Sequence, residues 1–105
     1  MTTFQDREKE FEARFKHDEE LKFKVTARRN RLLGLWAAAR MGLTGEAADA
    51  YAREVVEAEF KGGDPKVVEK VCADLNAKGQ SCTPAQIRFE LDHFAERAKQ
   101  QIMQE

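Results

Sequence analysis

The chain is short of the residues that build several common kinds of site. Two histidines and two cysteines in 105 residues leave few candidates for a nucleophile and its base. His17 stands beside Asp18 and His93 beside Phe94, and both read as solvent-facing structural residues. Cys72, Cys82 and His93 lack the paired short spacings of a zinc site, so no metal site is expected. The turn Lys61-Gly62-Gly63-Asp64 has its lysine before the glycines and no strand ahead of it, which argues against a phosphate loop. No run approaches the roughly 20 apolar residues that span a bilayer, and the first residues lack the apolar core of a signal peptide. A soluble, cytoplasmic protein with free thiols is expected, Cys72 as a small core residue and Cys82 in a loop. The net charge of -1 gives no overall pull towards nucleic acid or an anionic membrane.

What remains is a helix-forming composition. With 35% charged residues, 42% hydrophobic residues and only two prolines, the chain reads as all-α. The spacing predicts a four-helix bundle over about 18–41, 45–60, 65–78 and 84–103, preceded by an extra N-terminal amphipathic helical segment. Asp18 is the expected N-cap of the first bundle helix and Gly42 its C′ residue, with Thr44 capping the next. The stretch LLGLWAAA is apolar nearly all round and must be covered on several sides. Ala48, Tyr51, Ala52, Val55, Val56 and Phe60 form one apolar face of the second helix. After Asp64 as cap and Pro65 at N1, the third helix buries Val67, Val68, Val71, Cys72 and Leu75, and Gly79 closes it. Thr83, Pro84 and Gln86 make a start signal for the last helix, whose buried side is Ile87, Leu91, Phe94, Ala95, Ala98 and Ile102. Phe89 falls opposite that side and is a candidate contact for a partner.

The first segment differs from the rest. Thr2 with Gln5 and Thr3 with Asp6 fit capping boxes, and a helix over about 3–16 follows. Phe4, Phe11 and Phe15 share about 40° of the helical wheel, amid charged residues that cancel. That stripe is narrower than the roughly 100° a helix needs to join its own core. Residues 1–17 therefore read as a partly flexible segment that either folds back on the bundle or meets a partner's groove, and residues 18–105 as the bundle domain.

One basic cluster stands out. Lys24, Arg28 and Arg31 share a helix face at i, i+4 and i+7. Such a face is either neutralised by nearby acids, Glu54, Glu57 or Glu59 for instance, or offered to phosphates or an acidic partner. Nucleic acid is the poorer ligand, since no aromatic platform accompanies the bases.

The pattern FxxREKxFExxFxHDEELxFKxxARRNxLLGLWAA over residues 4–38, with AYAxEVV at 50–56, resembles the zeta subunit, the inhibitor of the F-type ATP synthase in alphaproteobacteria. The resemblance extends over essentially the whole chain. It implies a four-helix bundle and an inhibitor, not an enzyme, whose N-terminal segment inserts between catalytic subunits and rotor and blocks ATP hydrolysis. Carried over by position, residues 1–18 are the inhibitory segment, with Phe4, Phe11 and Phe15 as apolar anchors and Arg7, Glu8, Lys9 and Arg14 as polar contacts. The implied partners are the alpha, beta and gamma subunits of the catalytic head, with no nucleic acid and no direct membrane insertion. The implied location is the cytoplasmic face of the inner membrane, reached through the synthase. No cofactor is implied, but weak binding of ATP or ADP is, and it raises the standing of Lys24, Arg28 and Arg31. The alternative function is a cytoplasmic helical adaptor or an adenine-nucleotide sensor built on those three residues.

Overall fold

A computed structural model describes residues 3–105, with side chains from Gln5 onward. Thr2 and the side chains of Thr3 and Phe4 lie outside the described residues, and with them the expected N-terminal capping boxes. Four helices follow in order: α1 Thr3–His17, α2 Glu19–Arg40, α3 Gly45–Ala77 and α4 Pro84–Met103.

Local chemistry sets most of the boundaries. A single non-helical residue, Asp18 (φ -107°, ψ 103°), separates α1 from α2, and its carboxylate accepts the Leu21 N–H at 3.1 Å. The N-cap read from the sequence is therefore real, and it supplies the break expected near His17. At the far end of α2, Gly42 takes φ +79°. The Leu43 N–H reaches back to the Ala38 carbonyl at 2.9 Å and the Gly42 N–H to Ala39 at 3.1 Å, the paired bonds of a Schellman ending. Thr44 has the extended backbone of an N-cap but makes no side-chain capping bond. Thr83 and Gln86 form the complete box, Thr83 Oγ1 accepting from the Gln86 N–H at 3.3 Å and Gln86 Oε1 from the Thr83 N–H at 2.9 Å.

α3 is a helical hairpin. Its backbone leaves helical geometry at Gly62 and Gly63, the latter at φ +72°, a conformation open to glycine and costly for residues with a Cβ. The chain reverses there, so that Glu54 meets Lys70 and Tyr51 meets Asp74. The two arms correspond to the second and third helices expected at 45–60 and 65–78. Together with α2 and α4 they make the four-helix bundle.

α2 is central and runs antiparallel to the first arm of α3 and to α4. Its second half packs into the main core with Tyr51, Val55 and Ala58 of the first arm, Val67, Val71 and Leu75 of the second, and Ile87, Leu91 and Phe94 of α4. Gly34 marks the closest approach, since a Cβ there would lie 2.7 Å from the Ala52 Cα. A second, smaller cluster joins Phe11 of α1 to Leu21 and Val25 of α2 and to Ala98 and Ile102 of α4.

One expected core position is corrected. Phe60 shares the helical phase of Val56 and Ala52, yet it is 67% exposed. The first arm ends two residues later at the Gly62-Gly63 reversal, which leaves Phe60 in its last turn at the edge of the bundle. It rests instead against Phe23 of α2, ring centroids 5.7 Å apart, and Phe23 is itself 57% exposed.

Candidate functional site

Two surfaces stand out, and the first is the seat of α1. Phe11 is buried, Phe15 half-buried, and their rings stack at 6.3 Å. Lys99 of α4 closes the seat from the side, its ammonium 4.4 Å from the Phe15 ring centroid and 3.6 Å from a Glu12 oxygen. Of the residues singled out as inhibitory, Phe11 and Phe15 thus face the bundle, whereas Arg7, Glu8, Lys9 and Arg14 are exposed. Arg7 and Arg14 border a cleft of about 400 Å³ between α1 and the bundle, which Asp18, Glu20 and Lys24 also line. Of the two alternatives for the narrow stripe, α1 is here folded back on the bundle, with its charged side outward.

The second surface lies where α2 meets the first arm of α3. Lys24, Arg28 and Arg31 line an open depression of about 450 Å³ together with Phe23, Ala27 and Val56. A smaller recess of about 220 Å³ adjoins it, sharing Phe23, Ala27 and Val56 and ending at Phe60. The three cations do have acidic partners, but not the ones expected from the sequence. Lys24 pairs with Glu105 at 3.3 Å, Arg28 bonds Glu105 and the Gln101 Oε1 (3.1 Å), and Arg31 reaches Asp49 at 3.8 Å. Hydrogen bonds from Arg28 first, then from Lys24, hold the Glu105 carboxyl below the usual carboxylate range. These pairs are open to solvent and weakly held, so a more highly charged anion can displace them.

Under the aromatic recess lies a network that sequence reasoning missed. Asn30 is fully buried, donating to Glu59 Oε1 at 2.8 Å and accepting from Arg29 Nε at 3.0 Å. Arg29 also bonds Glu59 at 2.9 Å and Asp64 at 2.7 Å, spanning the Gly62-Gly63 reversal. Burial raises the Glu59 carboxyl, while the Arg29 hydrogen bond lowers that of Asp64. Asp64, expected as a helix cap, therefore aims its carboxylate at Arg29. The pairs are about thirty residues apart in sequence, beyond the reach of any local pattern. Phe23 and Phe60 were equally hidden as a pair, although each is plain in the sequence.

The other singled-out residues fall apart from both surfaces. His17 and His93 are exposed, the latter ring against Phe94 at 5.1 Å, and Phe89 is 69% exposed on the outer side of α4. Among the described residues no group of three or more His, Cys, Asp or Glu side chains is placed to hold a metal ion. No helix among them is long and apolar enough to cross a membrane.

Fold and surfaces together define a small helical-bundle binding protein, with one short helix seated on the bundle by a minor cluster and one aromatic, cation-edged depression. The family is given by comparison: the model of ATPase inhibitor subunit zeta matches residues 1–101, and the chain belongs to that family. It is a regulator of an ATPase, not an enzyme, and membership implies association with an F-type ATP synthase. A protein solved by solution NMR is 40% identical, over 80% of this chain and 96% of its own, and superposes with a TM-score of 0.70. Among curated proteins, none matches.

Proposed function

We propose that the chain inhibits ATP hydrolysis by the synthase through α1, which leaves its seat and orders in a cleft between catalytic subunits and rotor of the catalytic head. The observation that carries this reading is the slightness of the seat. α1 is held by Phe11 and Phe15 on one small cluster, and it is joined to α2 through the single extended residue Asp18. A fifteen-residue helix is marginal in water on its own, so the order of α1 depends on this small seat. On release, the residues that faced the bundle become the apolar anchors for the partner, with Phe4 beside them. Arg7, Glu8, Lys9 and Arg14 supply the polar contacts. The bundle stays folded, keeps the arm at high effective concentration and makes any second contact, for which Phe89 is placed. Residues 1–17 act as the inhibitory unit and 18–105 as its carrier, working on the cytoplasmic side of the membrane that holds the synthase.

The test compares ATP hydrolysis by the cognate head with full-length protein and with residues 1–17 removed. Loss of inhibition on truncation is expected, and equal inhibition by both proteins would sink the mechanism. A second test pins the arm. Glu12→Cys and Lys99→Cys, at positions whose long native side chains meet tip to tip at 3.6 Å, are introduced with Cys72 and Cys82 replaced by serine and joined by a short reducible thiol cross-linker that spans the lost length. Cross-linking should abolish inhibition and a reductant should restore it.

A second reading rests on the aromatic recess beside the basic residues. Phe23 and Phe60 supply the platform that the sequence alone did not reveal, and Lys24, Arg28 and Arg31 stand next to it. A purine stacks on such rings for about 1–3 kcal/mol, and phosphates replace Glu105 and Asp49 as partners of the cations. This supports weak binding of ATP or ADP as a regulatory ligand. Backbone NMR shifts on adding ATP should cluster at Phe23, Phe60 and Arg31 and shrink in Phe23→Ala; shifts scattered over the bundle would refute it.

A further inference from the structure

At the opposite end of α2 from the seat of α1, two cysteines meet through the main chain, the Cys72 thiol on the Cys82 carbonyl and the Cys82 thiol on the Thr83 carbonyl at 3.6 Å. Cys72 is buried on the second arm of α3, and Cys82 lies half-buried in the loop that leads to α4. Asn76, one helical turn beyond Cys72, clamps the main chain of Cys82 from both sides. Its Oδ1 accepts the Cys82 N–H at 2.9 Å, and its Nδ2 donates to the Cys82 carbonyl at 3.1 Å. The same Nδ2 lies 3.6 Å from Cys72 Sγ, and Cys72 Sγ is 3.3 Å from the Cys82 carbonyl oxygen. A loop that ends a helix through Gly79 and restarts one at Thr83 has no need of such a clamp for capping, since both ends are capped by other groups. What the clamp fixes is the position of Cys82 beside Cys72.

We propose that Cys72 and Cys82 are a redox-modifiable dithiol that closes to an intramolecular disulfide by exchange with a low-molecular-weight disulfide such as oxidised glutathione. Cys82 is the entry point, because it opens to solvent in a shallow depression shared with Trp36 and Arg40, whereas Cys72 is buried. The Cys82 thiolate attacks one sulfur of the small disulfide, whose S–S bond breaks. One thiol leaves with a proton, and a mixed disulfide remains on Cys82. Cys72 Sγ, giving its proton to water, then attacks Cys82 Sγ and expels the second thiol. Two protein thiols are oxidised by two electrons, and one small disulfide is reduced to two thiols. Burial first, and then the neighbouring Cys72 thiol, push Cys82 up to about 11. The first step is therefore slow at neutral pH and should quicken about tenfold per pH unit between 7 and 10, as the thiolate fraction does. The bridge would tie the second arm of α3 to the start of α4.

The experiment treats the full-length protein with excess oxidised glutathione and follows intact mass and free thiols. The expected product is a monomer that has lost two hydrogens and both thiols, recovered as the dithiol by dithiothreitol. Cys72→Ser should stop at a single glutathione adduct on Cys82, and Cys82→Ser should stay unmodified because Cys72 has no access. A wild-type protein that accumulates one stable adduct, takes up two adducts, or links into dimers would overturn the proposal. The wild-type mass alone decides the matter should either serine variant fold poorly.

Discussion

The two apolar clusters of this molecule are built from the same residue types and differ in size and in the helices they draw on. The main core draws on α2, both arms of α3 and α4, and it includes Leu33, Val55, Val67, Val71, Leu75 and Ile87 at 1% exposure or less. The cluster under α1 has Phe11, Leu21, Val25, Ala98 and Ile102, with Phe15, Leu32 and Met103 at its edge. α1 takes no part in the first; the second is roofed by α1 through Phe11 and Phe15. The mechanism proposed above draws on this inequality: on that reading the strong cluster keeps the carrier intact, and the weak one sets how readily the arm is given up.

The comparison breaks most visibly at the bundle end. Gly34→Ala would gain up to about 1 kcal/mol of helix propensity on an exposed helix, but here the new methyl meets the Ala52 Cα at 2.7 Å, and that backbone atom cannot turn aside. Overpacking of this kind costs about 1–3 kcal/mol, so the whole bundle should lose stability in urea, in one transition. A gain in stability would show that α2 and the first arm of α3 are not pressed together at this point.

How far the sequence reveals this inequality depends on the range of the interaction. Asp18, Gly42, Thr83 with Gln86, and the face Ile87 to Ile102 are local signals, and the helices start, stop and bury themselves where those residues indicate. The Phe11 and Phe15 stripe was legible as ambivalent, which is what a weakly seated helix is. Phe60 misleads because helical phase says which side a residue is on, not whether a neighbour reaches that far along the helix. Arg29 and Asn30 with Glu59 and Asp64 are unreadable locally, since the chain has to reverse at Gly62-Gly63 before they meet. The acids facing Lys24, Arg28 and Arg31 come from Asp49 and Glu105 for the same reason.

A moderate effect is expected at the polar clasp that holds the two arms of α3 together. Tyr51 donates to Asp74 at 2.8 Å, Lys70 bonds Asp74 at 3.0 Å and Glu54 at 2.9 Å, and the Lys70 ammonium lies 5.0 Å from the Tyr51 ring centroid. Burial first, and then the hydrogen bond to Asp74, raise the Tyr51 phenol far above its ordinary value of 10.0. The folded state keeps this phenol protonated where the unfolded chain ionises it. Its contribution to stability is thus complete below pH 10 and lost as the pH climbs beyond. Tyr51→Phe should cost about 1–2 kcal/mol at neutral pH and lessen the alkaline loss, measured as urea midpoints between pH 7 and 11. An unchanged alkaline slope would mean that Tyr51 does not carry it.

At the other end of the molecule the same kind of truncation should read differently. Phe11→Ala removes a side chain that is 5% exposed, a change that costs about 3–5 kcal/mol in a core that cannot open. On the proposed mechanism α1 leaves its seat instead, so the expected loss is capped at the docking free energy. Amide exchange across α1 should become that of a free peptide, while the unfolding free energy of the bundle, measured in urea, falls by less than about 0.5 kcal/mol. A bundle destabilised by several kcal/mol would instead make α1 an integral part of the core and would remove the basis for a releasable arm.

The smallest change gives the sharpest separation, because it loosens the arm without altering it. Lys99→Gln removes the cation from the Phe15 face and the ion pair with Glu12, together worth about 0.5–1 kcal/mol at a partly buried site. That corresponds to roughly a two- to five-fold rise in the released population of α1, visible as a matching fall in its amide protection with bundle amides unchanged. Since every residue of the arm is intact, inhibition of ATP hydrolysis should be undiminished or slightly stronger, whereas Phe11→Ala, which damages the arm itself, should weaken it. If both variants weakened inhibition alike, the seated form of α1 would be the active one, and release would be a step away from inhibition instead of towards it.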